Sequence, residues 1–355
     1  MPNLDSLLSF PLDDAGPSRS ASERTPIPPA SSHIVVTDTI DAPAFFVLVH
    51  FLRASHAANK SARQVDIKGK SRAKDVKVVW IGCSGDGVVH LKHVARKSGI
   101  QIDSETQRGA FAYIDAASIA LSTSVVQTGQ EELIDVDNAT RPHPILGQLY
   151  TQVERELVRE TSEEASWSSE TLVIIDDLSA LSWSLDHTDV FGRPVDVARQ
   201  ICTWTKALNS LVTKHRASLV TLLHADASSI GKHEASDSVE ESVLRSLLRT
   251  ADVWIEVKEL GSGRARDCDG EITVHPLVRP SLAHSLKTTP RDPSAASHFP
   301  PLQAFAVETP CPSRSKAVLY RIAPDGQSAA TAGVGAGTST SRVQVWARGT
   351  GRGFL

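Results

Sequence analysis

The chain has 355 residues, 41% of them hydrophobic and 22% charged, which is enough apolar material for one large α/β domain or two small ones. The formal net charge of −4 excludes a general polycation, so any nucleic-acid contact needs a local basic patch or a partner. Cys83, Cys202, Cys268 and Cys311 are scattered with no C-x-x-C pair, which argues against a zinc ribbon or a disulfide framework and fits a reducing compartment.

Residues 1–30 are rich in Ser, Pro and Asp and are expected to form a disordered tail; the start Met1-Pro2-Asn3 does not read as a secretory signal. His33–Thr37 is a short β-branched run, the first expected strand. Ala44–Ala57 follows a proline and sets Phe45, Leu48, Val49 and Leu52 at helical spacing. Its apolar core, Ala44–Leu52, falls well short of the roughly 20 residues of a membrane span, so the chain reads as soluble and intracellular. Residues 58–75 read as an exposed insertion, and across Lys60–Lys77 the cations Lys60, Arg63, Lys68, Lys70, Arg72, Lys74 and Lys77 outweigh Asp66 and Asp75, a flexible basic stretch.

Val76–Ile81 is a second strand, closed by Gly82-Cys83-Ser84-Gly85-Asp86-Gly87 and followed by a helix over 88–98. Residues 110–115 give a third strand, and 143–160 a helix with Leu146, Leu149, Val153 and Leu157 on one face. Thr171–Ile175, ending in Asp176-Asp177, is a near-continuous apolar run of the kind found in central parallel strands. A helix over 196–215, a strand over 219–223, a helix over 239–248 and a strand over 253–257 complete the alternation. Right-handed crossovers then yield a predominantly parallel sheet flanked by helices. Residues 271–275, 303–307, 318–322 and 343–346 are short strands expected as an antiparallel extension at one sheet edge, with flexible insertions at 280–301 and 323–341. Residues 31–350 thus read as a single domain.

A parallel sheet with acids at the end of an apolar strand raises the question of a phosphate-binding loop. Such loops carry G-x-x-x-x-G-K-[ST] after the first strand, glycine N–H groups and lysine holding phosphate and Ser/Thr holding Mg²⁺. The corresponding turn is Asp38-Thr39-Ile40-Asp41-Ala42-Pro43: no glycine, no lysine, two carboxylates and a proline without an N–H. It is a degenerate P-loop. Gly82–Gly87 has the glycine spacing but continues Val88-Val89, and Asp86 is wrong for phosphate; it reads as a tight strand-to-helix turn. Asp176 and Asp177 occupy the position of a Walker-B acid, which would hold Mg²⁺ or activate water. Without a lysine-bearing loop they read instead as solvated turn-capping acids.

His90 and His93 lie three apart without a further ligand, H-E-x-x-H is absent, and Ser179 and Ser182 lack a G-x-S-x-G elbow. No catalytic, metal or cofactor constellation emerges, which favours a binding or scaffolding role.

Leu172-Val173-Ile174-Ile175-Asp176-Asp177-Leu178-Ser179-Ala180-Leu181 resembles the strand-turn of the Elongator complex protein 6 family. Phe45–Leu52, Val78–Ile81 with Ala95–Ile100, Arg108–Asp115 and the strands at 318–322 and 343–347 agree in order, so the likeness spans residues 33–350. The Ser/Ala/Gly-rich insertions depart from the compact family pattern. The resemblance implies a RecA-like fold and a non-catalytic subunit that forms a hetero-hexameric ring with the paralogous Elongator subunits 4 and 5. That ring docks on the catalytic Elongator subcomplex, binds tRNA and supports modification of the wobble uridine at position 34, in the cytoplasm with the nucleus as a further location. In RecA-type rings the loop after the last parallel strand faces the channel, so Lys258, Arg264 and Arg266 join Lys68, Lys70 and Arg72 as candidate tRNA contacts. The alternative is an active RecA-like ATPase with an atypical phosphate loop built on Gly82–Gly87.

Overall fold

The structure, a computed structural model, describes residues 4–11, 24–67, 75–126, 143–158, 170–185, 195–225, 239–262, 265, 268–280, 302–304, 317–322 and 343–347. Its frame is a nine-stranded sheet of β1 (His33–Asp38), β2 (Val76–Gly82), β3 (Phe111–Asp115), β4 (Glu170–Ile175), β5 (Ser218–His224), β6 (Val253–Lys258), β7 (Gly270–Pro276), β8 (Val318–Ile322) and β9 (Val343–Ala347). The strand order is β9-β8-β7-β6-β1-β5-β4-β2-β3. β1 to β6 run parallel, while β7, β8 and β9 add on as antiparallel neighbours. This is the expected RecA-like architecture, including the antiparallel C-terminal extension.

Between the strands lie α1 (Phe45–Ile67), α2 (Gly87–Lys97), α3 (Ile102–Gln107), α4 (Ala116–Val126), α5 (Pro144–Val158), α6 (Leu178–Trp183), α7 (Val197–Lys214) and α8 (Val239–Leu248). Period-two alternation sends neighbouring strand residues to opposite faces. Ile34, Val36, Val78 and Trp80 pack with Val47, Leu48 and Phe51 of α1 and Leu91 of α2 on one face. Val35, Val79, Ile81 and Val173 pack with Leu149 of α5, Leu181 of α6, Leu208 of α7 and Leu244 of α8 on the other. β1, β2 and β5 are buried along almost their whole length because both faces are covered, whereas β6, at the junction with the antiparallel strands, alternates between buried and half-buried.

Three sequence expectations change. Within the expected tail, Leu4–Leu7 form a helical turn, and Leu4, Leu7, Leu8 and Phe10 are buried in the α1 face of the core. Phe10 packs against Phe51 with ring centroids 6.5 Å apart, and Asp5 accepts from the Arg53 guanidinium at 2.9 Å. The spacing Leu4, Leu7, Leu8 is one helical face, a signal outweighed by the surrounding Ser/Pro composition. Second, α1 continues through Ile67 into the expected insertion. Asn59 is buried there, donating to the Val76 carbonyl at 2.8 Å and accepting from the Val76 N–H at 2.6 Å, which fixes the helix against the start of β2. Third, Leu302–Ala304 pairs with Val278–Pro280 in a separate two-stranded ribbon, outside the main sheet.

Candidate functional site

Strand direction gathers the ends of β1, β4 and β5 at one edge of the sheet, where open α/β sheets place their ligands. β1 ends in Asp38, β5 in His224, and β4 runs into Asp176-Asp177. Asp38 is 1% exposed and its Oδ2 accepts the Ala44 N–H at 2.8 Å. That N–H precedes the first turn of α1, so a carboxylate of the chain itself answers the positive end of the helix where a bound phosphate would.

His224 bridges this carboxylate to the next strand. Its Nδ1 bonds Asp38 Oδ1, and its Nε2 lies 3.2 Å from Asp177 Oδ2. Two carboxylates on the two ring nitrogens require both to donate, which is the imidazolium form. The bonds from Asp177 and Asp38 raise the His224 pKa to about 10 against the opposing pull of burial. The backbone is fixed as well: the His224 N–H donates to Ser179 Oγ at 2.9 Å, and Asp177 caps α6 by accepting from the Ala180 N–H at 2.8 Å. Trp183, the last residue of α6, stacks on the imidazole with centroids 6.2 Å apart and 25° between planes.

Asp176 faces the other way. It is buried, accepting from Trp80 Nε1 at 2.9 Å and from the Cys83 N–H at 2.7 Å. Burial raises its pKa to about 6, with the Cys83 and Trp80 hydrogen bonds opposing. The first N–H of the Gly82–Gly87 turn, the alternative phosphate loop, is therefore already taken by a carboxylate. The Cys83 thiol beside it is pushed well up by burial and by the two aspartates, which disfavours a thiolate nucleophile.

The paired aspartates thus have separate roles: Asp177 is a helix cap and half of the His224 clamp, and Asp176 is the acceptor that closes the β2 turn. Neither is the solvated acid expected from the sequence. Ser179 and Ser182 are buried; Ser179 accepts from His224, and Ser182 donates to the Ser179 carbonyl at 2.8 Å. His90 and His93 are exposed on α2, and among the described residues no group of three or more His, Cys, Asp or Glu is placed to hold a metal ion. His224 itself escaped the sequence reading. Its signal was positional, a basic residue ending a buried strand whose neighbours end in acids.

The basic candidates divide. Lys258 Nζ lies between Glu256 at 2.9 Å and Glu271 at 3.8 Å, so its charge is largely compensated. Lys77 is buried in β2 and donates to the Glu156 carbonyl at 2.6 Å, leaving the basic stretch for the core. Lys68, Lys70, Arg72, Arg264 and Arg266 lie outside the described residues. No helix among the described residues is long and apolar enough to cross a membrane.

Fold and site together define a RecA-like α/β protein whose helix-end anion position is filled from within. Residues 70–290, more than half the chain, match the family described as Elongation complex protein 6, and the chain belongs to that family. It is accordingly an Elongator subunit. Among solved structures it is similar to the KaiC-like protein PH0186 from the hyperthermophilic archaeon Pyrococcus horikoshii OT3, at 10% identity over 92% of this chain and 94% of that one, with a TM-score of 0.44. No curated protein matches it.

Proposed function

We propose that the chain is a non-catalytic subunit of Elongator. It forms a hexameric ring with the RecA-like subunits 4 and 5, and the ring holds tRNA while the catalytic subcomplex modifies the wobble uridine at position 34. One observation supports the loss of hydrolysis above the others: Asp38, paired with His224, occupies the end of α1 that a nucleotide phosphate would need. A triphosphate arriving there would meet a buried carboxylate at the one N–H it most requires, and the two like charges repel. The sequence supports tRNA contact through the segments that carry Lys68, Lys70, Arg72, Arg264 and Arg266.

The test is a titration of the purified chain with MgATP, together with a turnover assay. No binding heat and no phosphate release are expected, and co-expression with subunits 4 and 5 should yield the three chains in equal amounts. ATP turnover that disappears on Asp176→Ala would overturn the reading in favour of an active ATPase.

A further inference from the structure

We infer that the groove between α1 and the β8–β9 hairpin is a peptide-binding site whose resident ligand is the chain's own segment Leu4–Phe10. The segment is a strap: it docks and releases while the sheet stays folded, and a free peptide of the same pattern can take its place. This inference stands apart from the assembly reading and goes beyond it.

The antiparallel end of the sheet needs a cover. α1 to α8 all lie before β6 in the chain, so among the described residues the strands after it have no helix of their own. Tyr320 of β8 and Val343 and Val345 of β9 are nevertheless buried, in the same cluster as Leu48, Phe51 and Leu52 of α1. The helical turn Leu4–Leu7 lies against β9 and brings Leu4, Leu7 and Leu8 into that cluster.

The attachment has the form of a helical peptide in a groove. Leu4, Leu7 and Leu8 stand at i, i+3 and i+4, and the Leu8 N–H closes the turn on the Leu4 carbonyl at 2.8 Å. Phe10 adds a fourth anchor on Phe51, and Asp5 accepts from the Arg53 guanidinium through both oxygens, at 2.9 and 3.1 Å. The groove therefore reads apolar-acidic-x-apolar-apolar-x-aromatic, with Arg53 selecting the acid. Phe10–Pro11 pairs with Arg24–Thr25, which tethers the strap beside its groove and raises its effective concentration there.

Two features set docking close to release. Four large side chains are buried at the cost of ordering the whole segment, and the two terms are of similar size. The second feature is His50 of α1, whose side chain is 2% exposed. Asp5 Oδ1 stands 3.6 Å from its Nδ1, beyond hydrogen-bond reach, and among the described residues neither ring nitrogen has a partner. Burial lowers its pKa to about 4, so the ring stays neutral at pH 7. In either tautomer one N–H is then buried without an acceptor, a cost that water relieves when the strap leaves.

The test follows strap and groove separately in the full-length chain. The Leu8 amide should be protected from hydrogen exchange, yet exchange at least about a hundredfold faster than the amides of β1 and β5. His50→Leu should slow that exchange and Arg53→Gln should speed it, each by about threefold. Leu8→Asp should vacate the groove: the chain keeps a cooperative melt and binds a fluorescein-labelled peptide of residues 1–11 at least about tenfold tighter than the wild type, because no strap competes. The same peptide carrying Leu8→Asp should bind neither chain. A Leu8 amide that is unprotected, or that exchanges only with global unfolding, overturns the strap. So does a Leu8→Asp chain that fails to fold, or one that folds and binds the peptide no better than the wild type.

Discussion

The turns that leave β1 and β2 teach by contrast. The β2 turn has the glycines of a phosphate loop and the β1 turn has none, yet both are closed by an aspartate of the chain accepting a turn N–H: Asp38 from Ala44, Asp176 from Cys83. The surroundings of the two acids differ. Asp38 faces the His224 imidazolium, which also reaches Asp177, so its charge has a partner across two strands. Asp176 meets neutral donors, Trp80 Nε1 and the backbone of Cys83 and Ser84, with the like charge of Asp177 beside it, and burial lifts its pKa to about 6. Glycine spacing reports the shape of a turn. What the turn can bind depends on whether its N–H groups are still free.

The largest expected effect comes from breaking the charged turn. His224→Leu leaves the Asp38 carboxylate, 1% exposed, beside an aliphatic chain in place of a cation. Removing one partner of a fully buried pair costs about 3–5 kcal/mol, and because the His224 side chain is itself 29% exposed the loss here should fall toward the lower end, about 2–3 kcal/mol. Urea unfolding at pH 7 reads this directly; a loss under about 1 kcal/mol would mean that the Asp38–His224–Asp177 link contributes little to the fold.

The sequence made the frame of this comparison legible and hid its content. β1, β2, β4 and β5 are largely apolar runs, a pattern that burial on both faces imposes, while β6 alternates, and the observed ends of all five lie within about a residue of expectation. α8 agrees at both ends, 239–248. The clamp was not legible, because Asp38 and His224 are 186 residues apart and meet only through the parallel pairing of β1 with β5. For the same reason Leu4, Leu7, Leu8 and Phe10 looked like part of a polar tail. Their burial depends on a groove formed by α1 and the distant β8–β9 hairpin, with Tyr320, Val343 and Val345 in the same cluster.

The comparison also has a pH signature, smaller than the loss of the clamp. The folded-state pKa of His224 is about 10 against 6.5 unperturbed, so its stabilising contribution is full below pH 6.5 and fades as pH rises through about 10. Asp176 goes from 3.8 to about 6: the folded state keeps a proton that the unfolded chain has released, so stability declines between those two values. Asp176→Asn should remove the acidic decline and leave the alkaline one, measured as urea midpoints from pH 3.5 to 10. An acidic decline of unchanged size in that variant would assign it to another carboxylate.

The smallest effects separate steric demands from binding demands within the glycine-rich turn. Gly87 has φ +64°, a left-handed conformation that costs an L-residue about 1–2 kcal/mol, although its missing Cβ would meet nothing within 4 Å. Gly85 has open space as well and no left-handed backbone, so Gly85→Ala should fall within about 0.5 kcal/mol of the wild type. A loop that wraps phosphate would show the reverse in a ligand assay, because there the backbone must come close to the anion along its whole length. If Gly87→Ala lowers the melting temperature while Gly85→Ala leaves both melting and assembly with the other Elongator subunits untouched, the glycines shape the entry to α2 and nothing more. A Gly85→Ala chain that melts normally but no longer assembles would place functional weight on the β2 turn itself.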